Sequence, residues 1–280
     1  MKPIIVGEIG VNFNGDMEIM YELIKMAARC GVDYIKTQQQ HPRTSVPKSL
    51  WNVPRIPPWG GEEIPYIEYK ERMWLSEIQL RQIKRVCHDV NIQWFASVWD
   101  DPSLQLLTLM KPAFIKIPSA KINDLALVKA SAESGFPIIL STGMSTWEDV
   151  QMAVHIIRTY GNLAYILHCN SSYPCKDEDT RLSMIPALSR EFSTHKIGFS
   201  SHSPNPLVSL ASVSRYNAEM VEVHISIDRS MRGSDHAASL DELGLKLLVD
   251  EIKRLDVLHG ESVREIYPEE ETAVRRLRGG

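Results

Sequence analysis

The sequence predicts a single (β/α)8 barrel, and three observations carry the prediction. Short β-branched runs alternate with longer amphipathic segments, eight such pairs fit within 280 residues, and nearly every apolar run ends in polar residues. Parallel strands joined by crossover helices produce this alternation, and a barrel gathers the C-terminal strand ends on one rim. A doubly wound open sheet of eight strands is the competing architecture.

In chain order, the expected strands are Ile4 to Gly10, Asp33 to Gln38, Trp94 to Trp99, Phe114 to Ser119, Pro137 to Thr142, Leu163 to Cys169, Lys196 to Ser201 and Met220 to Ser226. Helical periodicity follows in Asp16 to Cys30, Ser76 to Asp89, Thr146 to Thr159 and Leu240 to Leu255. One connection is long: Gln39 to Leu75 contains six prolines and the Gly60-Gly61 pair. It leaves strand two on the rim side, so it reads as a lid or specificity loop; a surface that packs on a second subunit through Trp51, Trp59, Tyr66 and Tyr69 is the alternative. The barrel is assigned to residues 1–266, and 267–280 to an exposed tail.

Composition narrows the function. With 44% hydrophobic and 24% charged residues the chain is ordinary globular protein. A net charge of -4, with basic and acidic residues interspersed, argues against nucleic acid or an anionic membrane as partner. Cys30, Cys87, Cys169 and Cys175 show no metal or disulfide spacing and are read as reduced thiols. Without a cleavable leader or a spanning segment, a cytoplasmic location is expected.

The strand ends place Glu8, Lys36, Gln38, Ser97, Lys116, Ser119, Ser141, His168, Asn170, Ser200, His202 and His224 at one funnel. His202 and His224, on neighbouring strands, could bind a metal completed by Glu8 or Asp235, or could be structural histidines with satisfied hydrogen bonds. Ser141-Thr142-Gly143 before a helix suits a phosphate, whereas Ser145 or Thr146 reads equally as an N-cap. Lys36 and Lys116 require anionic partners if buried. Those partners are a phosphorylated or carboxylated substrate, or Glu8 or Asp235 in an ion pair; Schiff-base chemistry is the third possibility.

The ordered blocks EIGVNFNGD (8–16), IKTQ (35–38), FIKIPSA (114–120), ILSTGM (139–144), LHCNSSYP (167–174), GFSSH (198–202), VEVHISIDR (221–229) and MRGSDHAAS (231–239) resemble the sialic acid synthase family over almost the whole chain. The resemblance implies a barrel that condenses phosphoenolpyruvate with an open-chain N-acyl hexosamine such as N-acetylmannosamine, giving a nonulosonic acid and phosphate with a divalent metal, Mn2+, Mg2+ or Co2+. It assigns His202 and His224 to the metal and Glu8 and Asp235 to acid–base work. Lys36, Ser97, Lys116, Ser119, Ser141 and Ser200 fall to phosphoenolpyruvate, Gln38 and Tyr173 to the sugar aldehyde, and Ser171 to the substrate without a side assigned. It also implies a homodimer.

Departures from the family pattern bear on the acceptor. Ser97 replaces a usual threonine and Ser171 an asparagine found in some members. Phe13 stands where a histidine is frequent, removing a polar group expected near the mouth, and Ala120-Lys121 replaces Gly-Glu, so Lys121 is expected to face the substrate. The sequence also stops before the small antifreeze-like domain that follows the barrel in many members. A shorter 3-deoxy-ulosonate synthase and a non-catalytic sugar-binding barrel are the remaining alternatives.

Overall fold

The computed structural model describes residues 2–278. Ten strands occur among them: β1 (Ile4–Gly10), β2 (Tyr34–Gln39), β3 (Pro54–Arg55), β4 (Ile64–Pro65), β5 (Gln93–Val98), β6 (Ile115–Ile117), β7 (Ile138–Ser141), β8 (Leu163–Cys169), β9 (Lys196–Ser201) and β10 (Met220–His224). Eight of them close in the order β1-β10-β9-β8-β7-β6-β5-β2 with parallel pairing at every joint, which is the (β/α)8 barrel and excludes the open sheet.

Alternation along the strands divides the interior into layers, because every second side chain points inward. The floor is apolar, with Val6, Phe95, Ile139, Tyr165, Leu167 and Met220 packed together and Tyr34 and Phe114 against them. Tyr34, Phe95 and Phe114 meet edge to face at 5.4–5.9 Å between ring centroids. Gly198 leaves room in this layer: a Cβ there would lie 2.6 Å from both the Leu167 side chain and the Met220 carbonyl oxygen. Two residues further along the same strands the inward positions become Glu8, Lys36, Ser97, Lys116, Ser141, Ser200 and Glu222, all buried. Outward residues such as Ile5, Ile35, Ala96, Ile138, Ile166 and Val221 join the main core beneath the helices.

Local chemistry explains the helix boundaries. Asp16 caps Met17–Cys30 by accepting from the Glu18 N–H, and Gly31 ends that helix at φ 83°. Ser76 with Gln79 and Thr146 with Asp149 form capping boxes on Glu77–Asp89 and Trp147–Tyr160. The expected fourth strand is shorter than Phe114 to Ser119, since Pro118 has no N–H and a 3-10 turn begins at Ser119. All four cysteines are free and buried. None of the described helices is long and apolar enough to cross a membrane.

The Gln39 to Leu75 excursion is structured. It holds a helical turn at Pro42–Ser45, the antiparallel β3–β4 ribbon and a helix at Tyr66–Met73. Its ends are tied where Gln39 Nε2 donates to the Leu75 carbonyl at 2.6 Å. Aromatic and cationic side chains form its interior: Trp59 and Tyr66 both stack on Tyr69, Arg55 lies 4.3 Å from the Tyr69 ring and Arg72 4.1 Å from Trp59. Part of the expected tail is helical, at Glu271–Arg278 with no buried side chain, while Gly279 and Gly280 lie outside the described residues.

Candidate active site

A cavity of about 180 Å³ opens at the C-terminal rim, lined by Glu8, Lys36, Gln38, Ser97, Lys116, Ser119, Ser141, Ser171, Tyr173, Ser200, His202, His224 and Asp235, while His168 and Asn170, expected in the same funnel, line a neighbouring hollow and bond to the Thr180 and Asp179 carbonyls. A wider hollow of about 460 Å³ lies alongside, sharing Met144, Cys169 and Ser171. It contains none of the buried charges, so the chemistry belongs to the smaller cavity.

Its base is a four-charge network. Lys116 Nζ donates to both Glu222 oxygens at 2.7 and 2.8 Å, while Lys36 Nζ lies 2.8 Å from Glu8 Oε1 and 3.5 Å from Glu222 Oε1. Ser200 adds a donor to Glu222 at 3.3 Å. Both lysines therefore have internal counterions, Glu8 being the one expected and Glu222 the one not foreseen; neither pairs with Asp235. Burial pushes the Glu8 carboxyl up to about 7 despite Lys36. Glu222 is equally buried, but the adjacent Lys116 and Lys36 outweigh desolvation and hold it down at about 2. Burial lowers Lys116, whereas the Glu222 and Glu8 carboxylates overcome burial and raise Lys36.

The histidines lie one layer nearer the rim, His224 in register with Glu8 and two residues past Glu222, with their ring centroids 5.3 Å apart. Burial depresses both to about 3, leaving neutral imidazoles, the form that binds metal. The Asn170 carbonyl accepts from His202 Nδ1, which leaves the Nε2 lone pair facing the cavity, where the Tyr173 hydroxyl donates at 2.9 Å. His224 Nδ1 is buried without a hydrogen-bond partner and lies 3.5 Å from Asp235 Oδ2. Among the described residues no group of three or more His, Cys, Asp or Glu side chains forms a ready metal cage. The unpartnered His224 nitrogen and the oriented His202 lone pair suit a divalent cation whose remaining positions are filled from outside the chain.

Four buried polar atoms on this lining have no partner: Glu8 Oε2, Ser141 Oγ, Trp99 Nε1 and His224 Nδ1. Folded proteins rarely leave such groups unsatisfied, and four facing one cavity mark a surface built to bind something polar. At the β7 end, the Gly143 N–H donates to Ser119 Oγ at 3.0 Å, and Ser119 Oγ contacts Cys169 Sγ at 3.0 Å. Thr146 serves as the helix N-cap.

Two expectations need correction. Lys121 does not face the cavity; it pairs with Asp124 at 3.3 Å in the turn after β6, and Ala120 lines the wall instead. Phe13 is 2% exposed and packs in the main core, so its substitution for histidine acts through packing. Glu222 escaped the sequence reading although its signal was present: a lone acid inside MVEVH, two residues before His224 and therefore on the same inward face.

A family model described as the NeuB family matches residues 23–264. The N-acetylneuraminate-9-phosphate synthase of Drosophila melanogaster is 34% identical over 251 residues, 89% of this chain and 66% of that protein. The N,N'-diacetyllegionaminic acid synthase of Legionella pneumophila is 29% identical over 265 residues, 93% of this chain and 74% of that protein. Among solved structures, the N-acetylneuraminic acid (sialic acid) synthetase of Leptospira borgpetersenii in complex with citrate superposes with a TM-score of 0.83 at 27% identity, covering 100% of this chain and 94% of that one. The chain spans between 66% and 74% of the length of these two curated relatives.

Proposed function

The chain belongs to the NeuB family, and from that premise we propose that it joins phosphoenolpyruvate to an open-chain N-acyl hexosamine of the N-acetylmannosamine type, yielding a nonulosonic acid and inorganic phosphate. The observation that carries this reading is the division of one cavity into a wall of two lysines and several serines, suited to a small polyanion, and a wall of two neutral histidines with Asp235, suited to an aldehyde.

Lys36 and Lys116, with Ser97, Ser119, Ser141, Ser171 and Ser200, hold the phosphate and carboxylate of the enolpyruvate, and the unpartnered Ser141 hydroxyl gains an acceptor on binding. Gln38 and Tyr173 orient the sugar so that its aldehyde carbon meets C3 of the enolpyruvate. The new C–C bond turns the aldehyde oxygen into an alkoxide and leaves positive charge at C2; water adds there, the proton it loses passes by way of the general base to that alkoxide, and cleavage of the C2–O bond carries the electron pair away with phosphate. Glu8 serves as the general base for that water, since a carboxyl titrating near 7 takes a proton at neutral pH without being permanently protonated. Asp235, near His224, holds the aldehyde side. His202 and His224 would bind the divalent cation, Mn2+, Mg2+ or Co2+, which when bound supplies Lewis-acid polarisation of the aldehyde.

The test is phosphate release from phosphoenolpyruvate with Mn2+ and N-acetylmannosamine or its 6-phosphate, beside erythrose 4-phosphate, arabinose 5-phosphate and a chelated control. Release with an N-acyl hexosamine, lost on chelation and lost in His202→Ala and His224→Ala with the fold retained, is expected. Release with the short phosphosugars alone would replace this reading with a shorter 3-deoxy-ulosonate synthase.

A further inference from the structure

Asp235 reaches the cavity from a loop, 225–241, that joins β10 to the helix Glu242–His259. Backbone bonds close the base of this loop: the Leu240 N–H donates to the His224 carbonyl at 2.8 Å and the Ser226 N–H to the Leu240 carbonyl at 2.9 Å. Groups carried on loops are held less precisely than groups on strands or helices unless hydrogen bonds lock them. Two buried asparagines in the turn after β1, which the proposed reaction leaves unused, supply that lock. Asn12 is 1% exposed, and its Nδ2 donates to the Ile225 carbonyl at 2.9 Å and to Ser239 Oγ at 2.8 Å. Ser239, fully buried, donates in turn to the Asp235 carbonyl at 2.7 Å, which also receives the Ala238 N–H at 3.0 Å. Asn14 Nδ2 donates to the Arg232 carbonyl at 3.1 Å.

The ends of this chain of bonds fix its direction. The Ile225 and Asp235 carbonyl oxygens only accept, so Asn12 spends both amide hydrogens and Ser239 its single one in that order. Asn12 Oδ1 is buried without a partner, so the side chain is kept for its two donors. A second network holds the loop elsewhere: Ser226 Oγ donates to the Asp228 carbonyl at 2.9 Å and accepts from His236 Nδ1 at 2.7 Å. At the carboxylate itself, Ser234 Oγ donates to Asp235 Oδ1 at 2.6 Å, and Oδ2 lies 3.5 Å from His224 Nδ1. Gly10, at φ 52°, leaves space between the two acids of the site, since a Cβ there would lie 3.1 Å from Glu8 Oε1 and 3.4 Å from Asp235 Oδ2.

We propose that Asn12 and Ser239 are positioning residues for Asp235: a buried relay from the turn after the first strand to the loop after the last, which holds the Asp235 carboxylate at the aldehyde end of the cavity. The inference rests on the condensation reading above, which sets the aldehyde beside Asp235. Neither residue lines the cavity, so their effect passes through the Asp235 main chain. Misplacing a positioned group by about 1 Å costs on the order of 100-fold in rate, and a satisfied buried network is what prevents such drift.

The experiment compares the whole chain with Ser239→Ala and Asn12→Asp by crystal structure, melting temperature and phosphate release from phosphoenolpyruvate with Mn2+ and the better of N-acetylmannosamine and its 6-phosphate. Ser239→Ala removes one hydroxyl and keeps the Asn12 bond to Ile225; Asn12→Asp keeps the shape and removes both donors. If the buried charge of Asn12→Asp unfolds it, Ser239→Ala decides. The Asp235 carboxylate should move by about 1 Å while the eight strands stay in place, and kcat/KM for the sugar should fall by about tenfold or more. KM for phosphoenolpyruvate should change by less than about twofold. A merely structural role would lower the melting temperature and leave this split between the two substrates unseen. An unmoved Asp235, unchanged sugar kinetics, or an equal loss toward both substrates overturns the relay and leaves the condensation intact. If neither sugar supports release in the whole chain, the condensation reading falls and the crystal structures alone decide. A displaced Asp235 then keeps the relay, and an unmoved one removes it.

Discussion

Glu222 shows how one side chain sets the resting charge of a site. It is the bidentate partner of Lys116 and a second partner of Lys36, so both ammonium groups are held in place at the base of the cavity. Glu222→Gln should leave a buried ammonium without its counterion and cost about 3 kcal/mol of stability in urea denaturation, in the range seen when one partner of a buried pair is removed. Added phosphoenolpyruvate should then raise the melting temperature of the variant more than that of the parent, because the ligand replaces the lost charge. An equal rise in both proteins would mean that Glu222 is not what the ligand competes with. Replacing both partners, Lys116→Met with Glu222→Leu, should restore much of the stability while abolishing phosphate release.

The elements separate what periodicity reveals from what only packing reveals. β1, β8 and β9 begin and end where alternation and flanking residues predict, and the cavity-lining side chains follow because inward positions repeat every two residues. Glu222 obeys the same rule, but it lies within β10 and not at its end, where the polar residues that mark the rim cluster. The Gln39 to Leu75 segment was legible only as a loop, since strands of two residues carry no period and its interior depends on guanidinium–aromatic stacking between residues distant in sequence. Lys121 was misplaced for a related reason: a 3-10 turn after Pro118 rotates it toward Asp124, and local sequence shows no sign of that rotation. The helix Trp147–Tyr160 resolves a choice the residues left open, because Thr146 and Asp149 satisfy its first turn and Ser119 accepts from Gly143. Thr146→Ala should therefore cost about 1 kcal/mol as a lost cap. Its KM for phosphoenolpyruvate should shift by less than about twofold, whereas a large rise in KM would return the helix terminus to phosphate binding.

At the scale of the whole molecule, burying polar groups at the centre of a barrel makes stability depend on pH, and the sign follows from the groups themselves. His202 and His224 have ordinary values of 6.5 when unfolded and about 3 when folded, so between these limits the unfolded chain binds protons that the native one refuses. Their contribution is complete above pH 6.5 and is lost as pH falls toward 3. Glu8 acts in reverse: its carboxyl rises from 4.5 to about 7 on folding, so it adds stability as pH drops through that interval. Glu222, lowered from 4.5 to about 2, withdraws support only below 4.5. Two histidines oppose one glutamate between pH 6.5 and 4.5, and burial pushes His168 and His236 in the same direction as the pair, so the net slope is destabilising. In chelator, the melting temperature should fall steadily from pH 6.5 to 4.5, and the double variant His202→Gln with His224→Gln should show a shallower fall. Mn2+ should raise the melting temperature of the parent at pH 7 and have little effect on the double variant, because binding through neutral imidazoles stabilises only the native state that presents them. Identical slopes in parent and variant would assign the acid sensitivity elsewhere, and an equal Mn2+ effect in both would remove the histidine pair from metal binding.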